Sequence, residues 1–169
     1  MILTTTERLI VSKVTLADAP FFLELVNTPN FKKYIGDKKL STIKGVEEYL
    51  KAGILKSYED HGFSYYTLKL QDSNTTIGIV GILKRDNLEC PDIGFAMLPQ
   101  YEGKGYGYES SMAMLEVAKA QFNIEKIAAI TLEHNTNSIN LITKLGLEFE
   151  KKVKPFADEE ELLFFAKLL

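Results

Sequence analysis

Eight residues, Gln100-Tyr101-Glu102-Gly103-Lys104-Gly105-Tyr106-Gly107, carry the clearest chemistry in this chain. Three glycines alternate with other residues directly after an apolar run, Ile93 to Leu98, and directly before a helical pattern from about Tyr106 to Phe122. Glycine turns tightly and lets the main chain approach a ligand with no side chain between them. A helix that begins there presents unpaired N–H groups at the positive end of its dipole. Together these make an anion cradle suited to a phosphate or pyrophosphate, so a phosphate-bearing small molecule is the expected ligand.

Two familiar phosphate motifs do not match. A P-loop needs G-x-x-x-x-G-K-[ST], whereas Lys104 is followed by Gly105 and no Ser or Thr is placed to hold magnesium. In the dinucleotide fingerprint G-x-G-x-x-G the third glycine falls at Tyr108, or at Ser110 when counted from Gly105. Glu125 stands about the right ~20 residues further on, but a Rossmann unit normally opens its domain and here a meander precedes the loop. The pattern Gln-x-x-Gly-x-Gly, extended by Gly107, fits with no residue missing.

The elements that must position this loop can be read from residue periodicity. A first strand is expected over residues 8–14, a helix from Thr15 to Asn27 and a stop at Thr28-Pro29-Asn30. A second helix is expected from Ser41 or Thr42, with Val46, Tyr49, Leu50, Ile54 and Leu55 as its apolar stripe, ending at His61-Gly62. Strands follow over residues 63–70, 77–83 and 92–98, separated by turns at Asp72-Ser73-Asn74 and Asp86-Asn87. After the loop helix come a strand over residues 126–132 and a helix from Thr136 to Leu145 with Gly146 as its C′ residue. A closing hairpin, 149–156 and 162–169, is expected around Ala157-Asp158-Glu159. With no repeat or linker, the 169 residues read as one α+β domain with a mixed sheet.

Composition narrows the function. A net charge of −3 argues against broad nucleic-acid binding, and Lys151, Lys152 and Lys154 read as a solvated strand end. Cys90 is the one cysteine, which excludes a disulfide framework and a multi-thiolate metal site. No apolar run approaches the ~20 residues of a membrane span, and Thr4-Thr5-Thr6-Glu7-Arg8 is unlike a signal peptide, so a cytoplasmic protein is expected.

The loop resembles the pyrophosphate loop, Arg/Gln-x-x-Gly-x-Gly/Ala, of the GNAT superfamily of acyl-CoA-dependent N-acyltransferases. The resemblance covers essentially the whole chain. Thr6-Glu7-Arg8-Leu9, Asp92-Ile93-Gly94-Phe95, Asn135-x-x-Ser138 and Lys144-Leu145-Gly146 look like the RimJ/RimL-like branch, the ribosomal-protein alanine N-acetyltransferases. The resemblance implies a mostly antiparallel central sheet of about seven strands flanked by about four helices. It also implies acetyl-CoA as acyl donor, a primary amine (a protein N-terminus or a small molecule) as acceptor, and no metal; a homodimer is compatible with it.

Carried over residue by residue, the pantetheine arm would lie along Phe95, Ala96, Met97 and Leu98. The pyrophosphate would rest on the amides of Gly103, Lys104, Gly105, Tyr106, Gly107 and Tyr108. Glu102 and Glu109, acidic and close by, should point outward. Asn135 caps the helix after it and would bond the pantetheine amides, with Ser138 near the sulfur. Many family members place a proton-donating Tyr four residues before the Gly of the Lys-Leu-Gly triplet; here that position is Ile142, which leaves Ser138 as the candidate acid.

The base is left open among His61, Glu133, His134 and Glu160, or a water chain. The acceptor pocket is expected between the loop of Tyr34 and Gly36, the second helix and the strand start at Phe63 and Tyr65. A module that binds CoA without turnover is the alternative, and a nucleotide-binding oxidoreductase a more distant third.

Overall fold

The computed structural model describes residues 1–156 and 160–169, so the tip of the expected closing hairpin, Ala157-Asp158-Glu159, lies outside the described residues. Its strands are β1 (Ile2–Thr5), β2 (Leu9–Lys13), β3 (Tyr65–Leu70), β4 (Thr76–Leu83), β5 (Asp92–Met97), β6 (Lys126–Thr131), β7 (Glu148–Val153) and β8 (Leu162–Leu168). They form one sheet in the order β1-β2-β3-β4-β5-β6-β8-β7, antiparallel at every pairing except β5 with β6. The α+β mixed sheet expected from sequence is therefore present, with one strand more than anticipated. The addition is β1, which pairs with β2 through Thr4↔Val11 and Thr5↔Ile10. Its run of threonines carries no apolar alternation, so only the pairing reveals it.

The helices are α1 (Ala19–Val26), α2 (Pro29–Tyr34), α3 (Ile43–Leu50), α4 (Lys56–His61), α5 (Tyr106–Ala120) and α6 (Thr136–Lys144). Thr15 and Asp18 form the capping box that starts the first helical segment. The first helix ends at Val26, just before the expected stop at Thr28-Pro29-Asn30, and Pro29 also opens the short α2, where its missing N–H would have had no partner anyway. The second expected helix runs from α3 to α4 through a wide π turn, Lys51–Leu55, and ends at Gly62 with φ +82°.

The two faces of the sheet are covered by different helices. On one face α5 brings Met114, Leu115 and Ala118 onto Val11, Tyr66, Leu68 and Ile93. On the other, α1 and α3 bury Phe22, Leu25, Val46 and Leu50 against Ile79 and Leu98. Between β5 and β6 the sheet opens. Their parallel register is confined to Asp92↔Ala128, with Ala128 N–H donating to Pro91 O at 2.9 Å. This seam leads straight into the glycine loop.

Candidate functional site

The loop delivers what its glycines imply. Gly103 and Gly105 adopt φ of +72° and +84°, a conformation costly for any residue with a Cβ, and Gly105 is the N-cap of α5. From Gly103 to Tyr108 no main-chain N–H donates to a protein acceptor among the described residues; the first bond of the helix runs from Glu109 N–H to Gly105 O at 3.0 Å. A run of consecutive unpaired donors at a helix start is an anion site by construction. Positive charge flanks it: Lys104 Nζ lies 5.5 Å from the Tyr101 ring centre and Lys144 Nζ 4.3 Å from that of Tyr108. Gly107 serves packing, since a Cβ there would stand 3.2 Å from Leu141 Cδ2 of α6.

The loop is also clamped from across the chain. Thr6 Oγ1 donates to Glu109 Oε1 at 2.5 Å, Arg8 N–H to the same oxygen at 2.9 Å and Arg8 Nε to Glu109 Oε2 at 2.7 Å. Arg8 Nη1 donates to Lys104 O at 3.0 Å, and its guanidinium lies 4.4 Å from the Tyr106 ring centre. The Thr6-Glu7-Arg8 motif thus holds the cradle in shape before any ligand arrives. Both nearby carboxylates are turned from the donors. Glu102 accepts from Asn30 Nδ2 at 3.2 Å, whereas Glu109, expected to point outward, is taken up by the clamp.

Burial alone would raise the Glu109 carboxyl, but hydrogen bonds from Thr6 and Arg8 outweigh it and hold the group below its ordinary value. A depressed carboxyl stabilises the fold above the unfolded-state value of 4.5 and loses that contribution as pH falls through the folded-state value. Glu109→Gln is therefore expected to cost about 1–2 kcal/mol at neutral pH, with the two proteins converging in acid. Melting curves from pH 3 to pH 7 would check this; a constant offset between them would assign the loss to packing instead.

The strand feeding the loop has a free edge. Leu98 N–H donates to Ile77 O at 2.9 Å, so Leu98, Ala96 and Gly94 face β4 with their main-chain groups. By the alternation of an antiparallel ladder, the N–H and C=O of Phe95 and Met97 face the opened seam. The main-chain donors open to the seam are therefore those of Phe95 and Met97, whereas the Leu98 N–H is taken by Ile77 O.

Of the acceptor-side residues, Tyr34 and His134 meet: the end of α2 and the β6–α6 connection bring their rings to 5.9 Å. Gly36 follows in the same loop with φ +118°. Tyr65 lies over β5, where a Cβ on Gly94 would stand 2.7 Å from its hydroxyl. Phe63, read from sequence as a pocket wall, belongs instead to the core on the α5 face, its ring 5.2 Å from that of Phe122. That placement carries His61 with it, 6.3 Å from Phe63. This is the C-terminal end of a 15-residue helix whose other end, ~22 Å away, is the cradle.

Glu133 is 73% exposed and 3.6 Å from Lys152 Nζ, and Glu160 is exposed on the approach to β8. Asn135 Oδ1 accepts from Ser138 N–H at 3.3 Å, the cap expected from sequence, while the Ser138 hydroxyl makes no hydrogen bond among the described residues. Ile142 is 1% exposed. Sequence reasoning missed Arg85 altogether; its Nε donates to buried Asp92 Oδ1 at 2.8 Å.

The opened mixed sheet thus ends its seam in a run of unpaired amide donors suited to an anion. The family model described as "Acetyltransferase (GNAT) domain" matches residues 8–148. The chain belongs to the GNAT family and is an acetyl-CoA-dependent acetyltransferase. It is 28% identical to the uncharacterized N-acetyltransferase YnaD of Bacillus subtilis (strain 168) over 158 residues, spanning 92% of this chain and 89% of that one. Its fold matches RimL, a ribosomal L7/L12 alpha-N-protein acetyltransferase in complex with coenzyme A, with a TM-score of 0.86 at 14% identity, covering 100% of this chain and 98% of RimL. It also matches spermidine N-acetyltransferase from Vibrio cholerae, in complex with CoA and spermine, with a TM-score of 0.78 at 17% identity, covering 95% of each. Among the described residues no group of three or more His, Cys, Asp or Glu is arranged to hold a metal, and no helix is long and apolar enough to cross a membrane.

Proposed function

We propose that the protein transfers an acetyl group from acetyl-CoA to a primary amine by direct attack in a ternary complex, as a RimJ/RimL-like enzyme acting on a protein N-terminal α-amino group or a small amine. The observation that carries the reading is the run of unpaired donors from Gly103 to Tyr108 at the end of a strand whose edge is free. In it the cradle holds the diphosphate, the Phe95 and Met97 main chain aligns the pantetheine, and Asn135 bonds its amides. A strand-edge N–H stabilises the oxyanion as the amine attacks.

An α-amino group suits a site with no strong base. Its reference pKa of about 7.7–8.0, against about 10.4 for lysine, leaves much of it neutral at physiological pH. RimL and the spermidine enzyme are named for acceptors of both kinds, so the two classes are tested together. Acetyl-CoA consumption over a panel of N-terminal peptides and small amines decides it: turnover with one class names the acceptor, and no turnover with any rejects the reading. Buried Ile142 supplies no proton where a tyrosine would, so the leaving thiolate must be protonated by another group.

Ser138 is the sulfur-side candidate in this reading. Ser138→Ala keeps the main-chain N–H that Asn135 caps, so folding should be unchanged while the rate falls about tenfold or more. Steady-state kinetics beside CoA affinity would show it; a rate within twofold of wild type limits Ser138 to its place in the helix.

A further inference from the structure

The transfer reading leaves one role unfilled, the group that receives the proton of the attacking nitrogen. Helix α5 packs against the face of the sheet that bears Ile93, Phe95 and Met97, so an amine reaches the β5 edge from the opposite face. There β5 presents Gly94 and Ala96, side chains small enough to leave the strand accessible. Tyr65 reaches over this strip. It pairs with Gly81 on β4, and its ring lies over β5, where a Cβ on Gly94 would stand 2.7 Å from the hydroxyl and 3.2 Å from Cε1.

A buried ion pair stands near the phenol: Arg85, 28% exposed, donates through Nε to Asp92, 2% exposed, and its charge acts on the Tyr65 phenol. The guanidinium also lies 5.4 Å from the Phe156 ring centre. Arginine has only donors, so it takes no proton from the phenol and leaves the phenolic hydrogen available. Burial pushes the phenol up to about 12 against the opposing charge of Arg85, which keeps it protonated near neutrality. Among the base candidates read from sequence, His61 is at the far end of α5 and Glu133 is turned to Lys152.

We propose that the Tyr65 hydroxyl, steadied by the positioning residues Arg85 and Asp92, is the group that takes the proton from the attacking amine. The inference rests on the acetyl-transfer reading. As the C–N bond forms and the C–S bond breaks, the phenol oxygen receives the amine proton and releases its own hydroxyl proton to water in the cleft. Sulfur gains a proton from its own side, so the proton lost at nitrogen balances the one gained at sulfur. Tyr65 ends as the neutral phenol it began as, and Arg85 offsets negative charge on its oxygen in passing.

Tyr65→Phe keeps the ring and removes the oxygen. With the best acceptor from the panel, kcat is expected to fall about 100-fold while the Kd for acetyl-CoA stays within twofold and the melting temperature is nearly unchanged. Arg85→Met should lower kcat less, about tenfold, with Arg85→Lys recovering part of the loss. A Tyr65→Phe rate within twofold of wild type overturns the proposal and leaves the transfer reading intact.

A second measurement needs no acceptor. In protein carrying 13C-labelled tyrosine rings, the Tyr65 signal, assigned by its loss in Tyr65→Phe, should sit at different positions in the acetyl-CoA and CoA complexes because the acetyl group lies beside it. Identical positions in the two complexes overturn the proposal even if wild type acetylates nothing.

Discussion

Gly105→Val is expected to weaken CoA binding by about 100-fold, or about 2.7 kcal/mol. Gly105 sits at φ +84° as the N-cap of α5, and its Cβ would stand 3.2 Å from Arg8 Nη2, on the guanidinium whose Nε and Nη1 make the clamp. A β-branched residue in this conformation costs about 1–3 kcal/mol of strain, which the loop can relieve only by rotating its peptides. Rotation misdirects the neighbouring amides, and one or two charge-assisted hydrogen bonds account for the size of the loss. The loop is exposed, so the fold should survive. Calorimetric titration with CoA beside a melting curve separates the effects; affinity within twofold of wild type in a folded variant would remove the cradle from the binding site.

The largest expected loss of stability is at Gly81→Ala. A Cβ there would stand 2.4 Å from Ser64 O and 2.5 Å from Tyr65 Cα. These are main-chain atoms of the neighbouring strand, in the centre of the sheet, and no rotamer change moves them. β3 must shift, at a cost of about 2–3 kcal/mol, which at this chain length is a fall in melting temperature of roughly 5–10 °C. Because Tyr65 is displaced with its strand, activity should fall further than the folded fraction does. A melting temperature within 1–2 °C of wild type would mean that β3 and β4 tolerate a separation their register does not suggest.

Features written in local chemistry were legible in the sequence. The alternating glycines, the apolar run before them, the Asn135 cap and the Gly146 stop each depend on a few adjacent residues, and each stands where expected. Features made by distant residues were not. Nothing local to Thr6 and Arg8 says that they grip Glu109, about a hundred residues away, and nothing in Arg85 announces its pairing with Asp92. Phe63 shows the same limit from the other side. Its type suits a pocket wall or a core equally, and only the position of Phe122 settles it. Pro29 ends the first helix as expected, but α2 was not anticipated, since the residue that ends one helix can also begin the next.

The central claim is that the main-chain donors from Gly103 to Tyr108 grip the diphosphate of coenzyme A. An amide-resolved NMR titration of 15N-labelled protein with CoA tests it most directly. The largest shifts should fall on the six amides from Gly103 to Tyr108, with smaller ones at Phe95 and Met97. Saturable binding that moves amides elsewhere while these stay still, or no change at any amide, would contradict it.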